Sequence, residues 1–444
     1  MIHVIGGGLA GAEAAWQIAE AGLTVVLHEM RPVRPTAAHQ TDRLAELVCS
    51  NSLKSEQENS APWLLKEELR RLGSLALRAA AAARVPGGHA LTVDRELFSG
   101  EVTRAIAAHP RIAVRREEVR EAPLDGITII ATGPLTSDTL AAAIARLTGS
   151  DRLFFYDSIS PIVEADSVDQ AIAFRASRYD KSLDGTADYL NCPFDRAQYE
   201  AFVDALLAAQ SVESHIDESV PYFEACLPIE ELARRGRDTL RFGPMKPMGL
   251  LDPRTGRRPW AAVQLRQENL RADSYNLVGF QNHLKYGEQA RILRMIPGLE
   301  HAEFVRFGQI HRNTYINAPA LLAPTLQLRT RPEVLFAGQI SGVEGYVEAI
   351  ATGLMAGMHA VALERGDQPR SFPRETALGS LCQYIAGADT RNYQPANITF
   401  DLLPPLDEAT RQQLRHDKRA RHAEVCRRAQ AAFDRHIASA GQSG

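Results

Sequence analysis

The chain has few cysteines, no long apolar run and no strong charge of either sign, and each shortage removes a class of protein. Five cysteines spread over 444 residues, with no CxxC pair, do not make a disulfide framework. They predict thiols in a reducing, cytoplasmic setting. No stretch reaches the roughly 18 consecutive apolar residues that cross a bilayer, so no membrane segment is expected. The N-terminus has no basic region and enters a strand-like segment at once, which argues against a secretory signal. A net charge of −4 gives no overall field for a polyanion, so nucleic acid would have to meet a local patch. No metal-ligand spacing, internal repeat or low-complexity tract stands out. What remains is 45% hydrophobic and 23% charged, an ordinary globular composition, long enough for two or three domains of roughly 100–200 residues.

The opening "MIHVIGGGLAGAEAAWQIAEAGLTVVLHE" reads as strand, glycine turn, helix and strand. Within it, Gly6-x-Gly8-x-x-Gly11 has the spacing of a dinucleotide cradle. Gly6 permits a tight turn, Gly8 lets backbone approach a pyrophosphate, and Gly11 allows close helix–strand packing. The helix N-terminus would face the phosphates, with Gly7, Leu9 and Ala10 as further backbone contacts. Glu29, 18 residues after Gly11 at the end of the second strand, is placed to hold ribose hydroxyls. Helices are expected over 63–72, 93–109 and 137–147, with strands over 111–119 and 126–133. This alternation predicts an α/β fold, a doubly wound Rossmann-like sheet. The strand ending at Gly133 and the late "LFAGQISGVEGY", with Gly338, Gln339 and Gly345, suit a flavin lying along the sheet's carboxyl edge. FAD is therefore favoured over NAD; the plain alternative for Gly338–Gly345 is a turn feeding a helix.

From about 166 to 319 charges, aromatics and Pro/Gly turns crowd together, which reads as an inserted α+β domain. The expected organisation is a discontinuous FAD-binding domain (1–165 and 320–400), the insert (166–319) and a basic helical tail (401–444). Between 411 and 435 the tail has eight basic residues (411, 415, 418, 419, 421, 427, 428, 435) against three acids (417, 424, 434). A solvated helix face is the bland reading of that run. Cys192, Cys382 and Cys426 read as core thiols. Cys49, in the small polar stretch "VCSNSLKS", and Cys226, before Pro228 at a helix start, are better placed for chemistry.

Several segments together resemble one family. "VCSNSL", "YFEACLPIEELARRG", "FGPMKPMGLLDPRTG", "HRNTYINAP" and "FAGQISGVEGYVEA" are similar to the folate- and FAD-dependent tRNA uracil-5-methyltransferases, TrmFO. The likeness runs from residue 1 to about 400, with Leu44 in "RLAEL" where an aromatic is expected. It implies a cytoplasmic enzyme that forms the T-loop ribothymidine of tRNA. Carbon would come from methylenetetrahydrofolate, and NADH or NADPH would reduce the flavin. It also implies functional thiols at Cys49 and Cys226, a folate-stacking role for His311 and a place near the flavin for Tyr346; no obligate protein partner is expected. Without the resemblance, His311 reads as a structural hydrogen-bonder and Tyr346 as a core aromatic.

The chemistry explains the thiols. C5 of uracil is a poor nucleophile, and a thiolate adding to C6 makes it a good one. Cys226 is the expected C6 nucleophile and Cys49 the second thiol, with the roles open to exchange. The target base must be flipped from the T-loop, and its phosphates met by Arg234, Arg235, Arg237, Lys246 and Lys285, with the tail helix as a further candidate. Four readings compete: the same chemistry on ribosomal RNA, a GidA-like enzyme of wobble uridines, a small-molecule flavin oxidoreductase with incidental cysteines, and a non-catalytic FAD-containing RNA-binding protein.

Overall fold

A computed structural model describes residues 1–149, 153–183, 185–212, 227–391 and 393–441. Its main sheet has six strands, in spatial order Gln327–Leu328, Arg331–Phe336, Ile127–Ile130, Ile2–Ile5, Val25–Glu29 and Ile112–Arg116. All neighbours are parallel except the first pair. Every residue of Ile2–Ile5, Val25–Glu29 and Ile127–Ile130 is buried, as a sheet covered on both faces requires. Ile5 stands opposite both His28 and Ile130, and Phe336 opposite Ile130. The carboxyl ends of four strands therefore meet at one edge, where open α/β sheets bind ligands.

The helix Leu9–Glu20 is built from alanines and other good helix formers, and its Ala10 and Ala14 lie against Gly353 and Gly357 of the long helix Tyr346–Glu364. Small residues on both sides let the two helices approach closely. The long helix is apolar and long enough to cross a membrane, but most of it is buried in the main core. Length and composition alone do not distinguish a core helix from a spanning one.

A second six-stranded sheet, antiparallel throughout, has the order Phe174–Arg175, Tyr189–Phe194, Ala261–Gln267, Ser274–Leu277, Ile162–Glu164 and Phe304–Arg306. It packs on the helix Arg196–Leu207 around a core of its own. The antiparallel ribbon Leu153–Ile159 with Gln309–Tyr315 leads into and out of this unit. The architecture is thus the expected fold class, a doubly wound α/β sheet with an inserted α+β unit. Two features lie outside the sequence expectation. The helix Leu75–Ala82 follows the expected one, here Ala61–Arg71. The irregular stretch 31–60 supplies Ser52–Ser55 to a small sheet with Arg84–Val85 and Ala90–Val93. The tail helix Lys418–Gly441 contributes Cys426, Ala429 and Phe433 to the main core.

Candidate active site

The glycine turn is shaped by contacts that a side chain would prevent. Gly6 has φ +103°, and a Cβ on it would lie 2.6 Å from Ala131 O. A Cβ on Gly11 would lie 1.7 Å from Gly6 O, so the helix can rest on the turn only if this residue is glycine. Gly8 caps the helix with no side-chain hydrogen bond, and the space beside its Cα is open. An uncapped N-terminus opening on empty space at the sheet edge fits a phosphate.

Glu29 closes the other side of the cradle. Its carboxylate accepts the Gly7 N–H, the Arg31 N–H and Arg31 Nε–H, each at 2.9 Å. Burial opposes its charge. The Arg31 guanidinium and the two N–H donors outweigh that and hold the carboxyl below its ordinary value. Arg31 is itself buried and also donates to Glu46 at 3.1 Å. Glu29 is therefore a fixed anion, with acceptor capacity remaining for a ribose.

Cys49 sits in a loop whose polar groups are held from three directions. Tyr346 Oη accepts the N–H of Cys49 at 2.8 Å and that of Ser50 at 3.1 Å. Arg95 donates to Leu47 O at 2.5 Å and to Cys49 O at 3.3 Å, and Arg306 donates to Val48 O at 3.0 Å. Arg266 donates to Ser50 Oγ at 2.9 Å. Asn51, fully buried, donates to Val93 O and Gln267 O at 3.1 and 2.9 Å. Arg95 comes from the start of the helix Arg95–Ala108, and Arg266 and Arg306 from strands of the second sheet. The loop thus bridges the two sheets.

The wall behind the loop is positive. Glu268 takes Arg95 Nε at 2.5 Å, and with Arg266 and Arg306 that leaves three guanidiniums around one carboxylate. Burial pushes Arg266 and Arg306 down and Arg95 repels both, yet a guanidinium keeps its proton at any working pH. Glu268 outweighs burial at Arg95 and raises it. Arg266 Nε and Arg306 Nε are buried with no hydrogen-bond partner among the described residues.

A cavity of about 360 Å³ joins these parts. Of the residues singled out from sequence, Gly6, Gly7, Gly8, Leu9, Ala10, Glu29, Cys49, Gly133, Gly338, Gln339, Gly345 and Tyr346 all line it. Gly11 lies behind the turn. Cys226 is outside the described residues. The His311 backbone stands opposite Asp157 in the connecting ribbon, and its side chain is outside the described part; its neighbours Ile159 and Asn313 reach the cavity. Arg234, Arg235, Arg237, Lys246 and Lys285 do not line it. Cys192, Cys382 and Cys426 are buried in cores, where desolvation pushes the first above its usual range and the other two up to about 12.

Sequence reasoning missed Arg31, Arg95, Arg266, Glu268 and Arg306, and also the role of Lys54, whose ammonium meets Glu348 at 2.5 Å and Asn397 at the cavity's edge. The one available signal was charge inside an apolar strand. Ala261–Gln267 is buried at all its positions, Arg266 among them.

A family model described as glucose inhibited division protein A matches residues 1–368. Relatives named methylenetetrahydrofolate–tRNA-(uracil-5-)-methyltransferase TrmFO include that of Solibacter usitatus, 73% identical over 434 residues, 98% of each chain. That of Koribacter versatilis is 64% identical over 99% of this chain and 98% of its own, and that of Heliobacterium modesticaldum 55% identical over 98% of each. Among solved structures, GidA of Aquifex aeolicus superposes with a TM-score of 0.69 at 16% identity, over 97% of this chain and 73% of that one. At that identity the likeness establishes the fold alone.

Proposed function

Because the chain belongs to the methylenetetrahydrofolate–tRNA-(uracil-5-)-methyltransferase family, TrmFO, within the wider glucose inhibited division protein A group, we propose that it methylates C5 of a tRNA uridine with carbon from methylenetetrahydrofolate. The observation that carries this reading is that Cys49 shares one cavity with a dinucleotide cradle. A simple flavin oxidoreductase would have no need of a thiol fixed there by Tyr346 and three arginines. The finer assignment is the T-loop uridine, with NADH or NADPH as reductant, in the cytoplasm.

The cradle fits FAD. The Gly8 helix end is placed for its phosphates and Glu29 for its ribose, with Gly133, Gly338, Gln339, Gly345 and Tyr346 further along the same cavity. FAD, when bound, supplies the electrons that turn a transferred methylene into a methyl group. The protein's own work is to hold the thiols and move protons. Cys226 is the proposed nucleophile: its thiolate bonds to C6, the C5=C6 electron pair shifts toward O4, and C5 becomes nucleophilic. Loss of the C5 proton and expulsion of the thiolate later restore the ring. Cys49 is the second thiol. The positive wall behind it favours an anion on that side of the cavity, which suits a sulfur that receives and returns a proton. His311 is proposed to stack on the folate ring.

The test is transfer of labelled carbon from methylenetetrahydrofolate to an unmodified tRNA transcript, with FAD and NADPH present. Label recovered as ribothymidine from the T-loop is expected. A flavin that binds and is reduced while the tRNA stays unlabelled would overturn the reading, and label found instead on ribosomal RNA would reassign the substrate.

A further inference from the structure

Four arginines of the inserted unit are paired with carboxylates. Arg234 pairs with Glu231, Arg237 with Asp204, Arg241 with Asp238 and Arg254 with Asp252. Each pair cancels charge that a phosphate would seek. The tail holds both paired and unpaired cations. Arg411 pairs with Glu408, Arg427 with Glu424, and Asp434 is taken by Arg71. Lys418, Arg419 and Arg421 meet no carboxylate among the described residues, and Lys418 and Arg419 are exposed.

These three residues occupy the first turn of the helix Lys418–Gly441. Cations there oppose the helix macrodipole, so helix stability does not account for them. The neighbouring Asp417 is engaged in capping, accepting the Ala420 N–H at 2.9 Å. The turn is also held in place. Cys426, Ala429 and Phe433 anchor the helix in the main core, and Arg428 donates to the Pro404 and Pro405 carbonyls.

The turn is connected to the segment that lines the cavity. The His422 ring lies 4.4 Å from that of Phe400, centroid to centroid. Phe400 is three residues, at most about 11 Å of chain, from Asn397, which lines the cavity and accepts from Lys54. A second sign of converging charge comes from His422 itself. Burial lowers its proton affinity, and Lys418 and Arg421 lower it further.

We propose that Lys418, Arg419 and Arg421 form a phosphate-binding corner that seats the RNA backbone on the enzyme. This rests on the tRNA reading above and adds to it the surface that holds the polynucleotide. A contact to phosphate carries no sequence information, so the corner positions the RNA and leaves selection of the base to the cavity.

The test is binding of an unmodified tRNA transcript to the flavin-loaded protein, from about 50 to about 200 mM salt. The K418Q/R419Q/R421Q variant is compared with wild type, with R419K/R421K and with R234Q/R237Q. Three lost phosphate contacts should reduce the slope of log K against log salt by about 2 to 3. KM for tRNA should rise at least tenfold, with kcat at saturating tRNA and flavin content unchanged. The R419K/R421K protein should keep the wild-type slope. A K418Q/R419Q/R421Q protein that binds with the wild-type slope and KM overturns the corner, and so does R234Q/R237Q showing the loss instead. Failure of the underlying reading looks different: wild type itself then binds no tRNA and transfers no carbon to it, and the corner falls with it.

Discussion

Replacing Tyr346 by Phe removes one oxygen and nothing else, and that oxygen accepts the N–H groups of Cys49 and Ser50 at 2.8 and 3.1 Å. Both donors are part-buried, and an unmade hydrogen bond in such a place costs about 1–3 kcal/mol. The loop cannot simply swing to new partners, because Arg95, Arg306 and Arg266 still hold Leu47, Val48, Cys49 and Ser50. The cavity does admit water, which recovers part of the loss. The net expectation for Tyr346→Phe is a destabilisation of about 2 kcal/mol, with most of it spent locally on loosening residues 48–50. Urea unfolding should show a lower midpoint at unchanged m. Alkylation of Cys49, followed by peptide mapping, should accelerate by about tenfold, the factor that about 1.4 kcal/mol of easier local opening gives. Because burial raises the Tyr346 phenol well above its ordinary value, it stays protonated across the working range, and the acceleration should persist at alkaline pH. An alkylation rate and a urea midpoint that both match wild type would refute the claim that this hydroxyl fixes the thiol.

Three further outcomes are expected. Gly11→Ala places a methyl 1.7 Å from Gly6 O, so the turn must open, and the protein should purify without flavin, as its absorption spectrum would report. Glu29→Gln leaves Arg31 with Glu46 as its remaining carboxylate and should cost about 1–3 kcal/mol, less than a fully orphaned buried charge. Since the folded-state value of Glu29 is depressed, its contribution is present above the ordinary carboxylate range and lost as pH falls through the lower folded value. The acid limb of the wild-type stability curve should therefore be steeper than that of the variant. His359, buried in the long helix against the Thr325 and Arg370 carbonyls, is pushed down to about 4, chiefly by burial. Between there and about 6.5 the unfolded chain binds the extra proton. Stability should therefore rise with pH across that window by up to about 3 kcal/mol, and His359→Gln should flatten the rise in a pH series of thermal melts.

What the sequence disclosed and what it hid follow the separation of the interacting residues. The cradle was legible because strand, turn, helix, strand and acid all lie within residues 2–29, where local spacing and periodicity carry the information. The return of the chain to the same sheet at Arg331–Phe336 was legible because a glycine-rich turn followed by a long helix repeats that local pattern. The Cys49 loop was half legible: its polar composition marked it as something other than core, but what positions it comes from Tyr346, 297 residues later, and from Arg266, Asn276 and Arg306 on another sheet. Arginines read singly are surface residues, because burying one without partners is prohibitive. In the folded chain, backbone carbonyls of residues 47–49, Ser50 and Glu268 receive donors of the cluster, and that set of acceptors exists only once both sheets are assembled. The same logic explains the cations of the insert and the tail. Sequence shows where basic residues are dense, but only the fold shows which have found a carboxylate. Among the described residues it pairs Arg234 and Arg237 on the insert and shows no carboxylate against Lys418, Arg419 and Arg421, so of the basic groups visible in the sequence the tail keeps charge available to a polyanion.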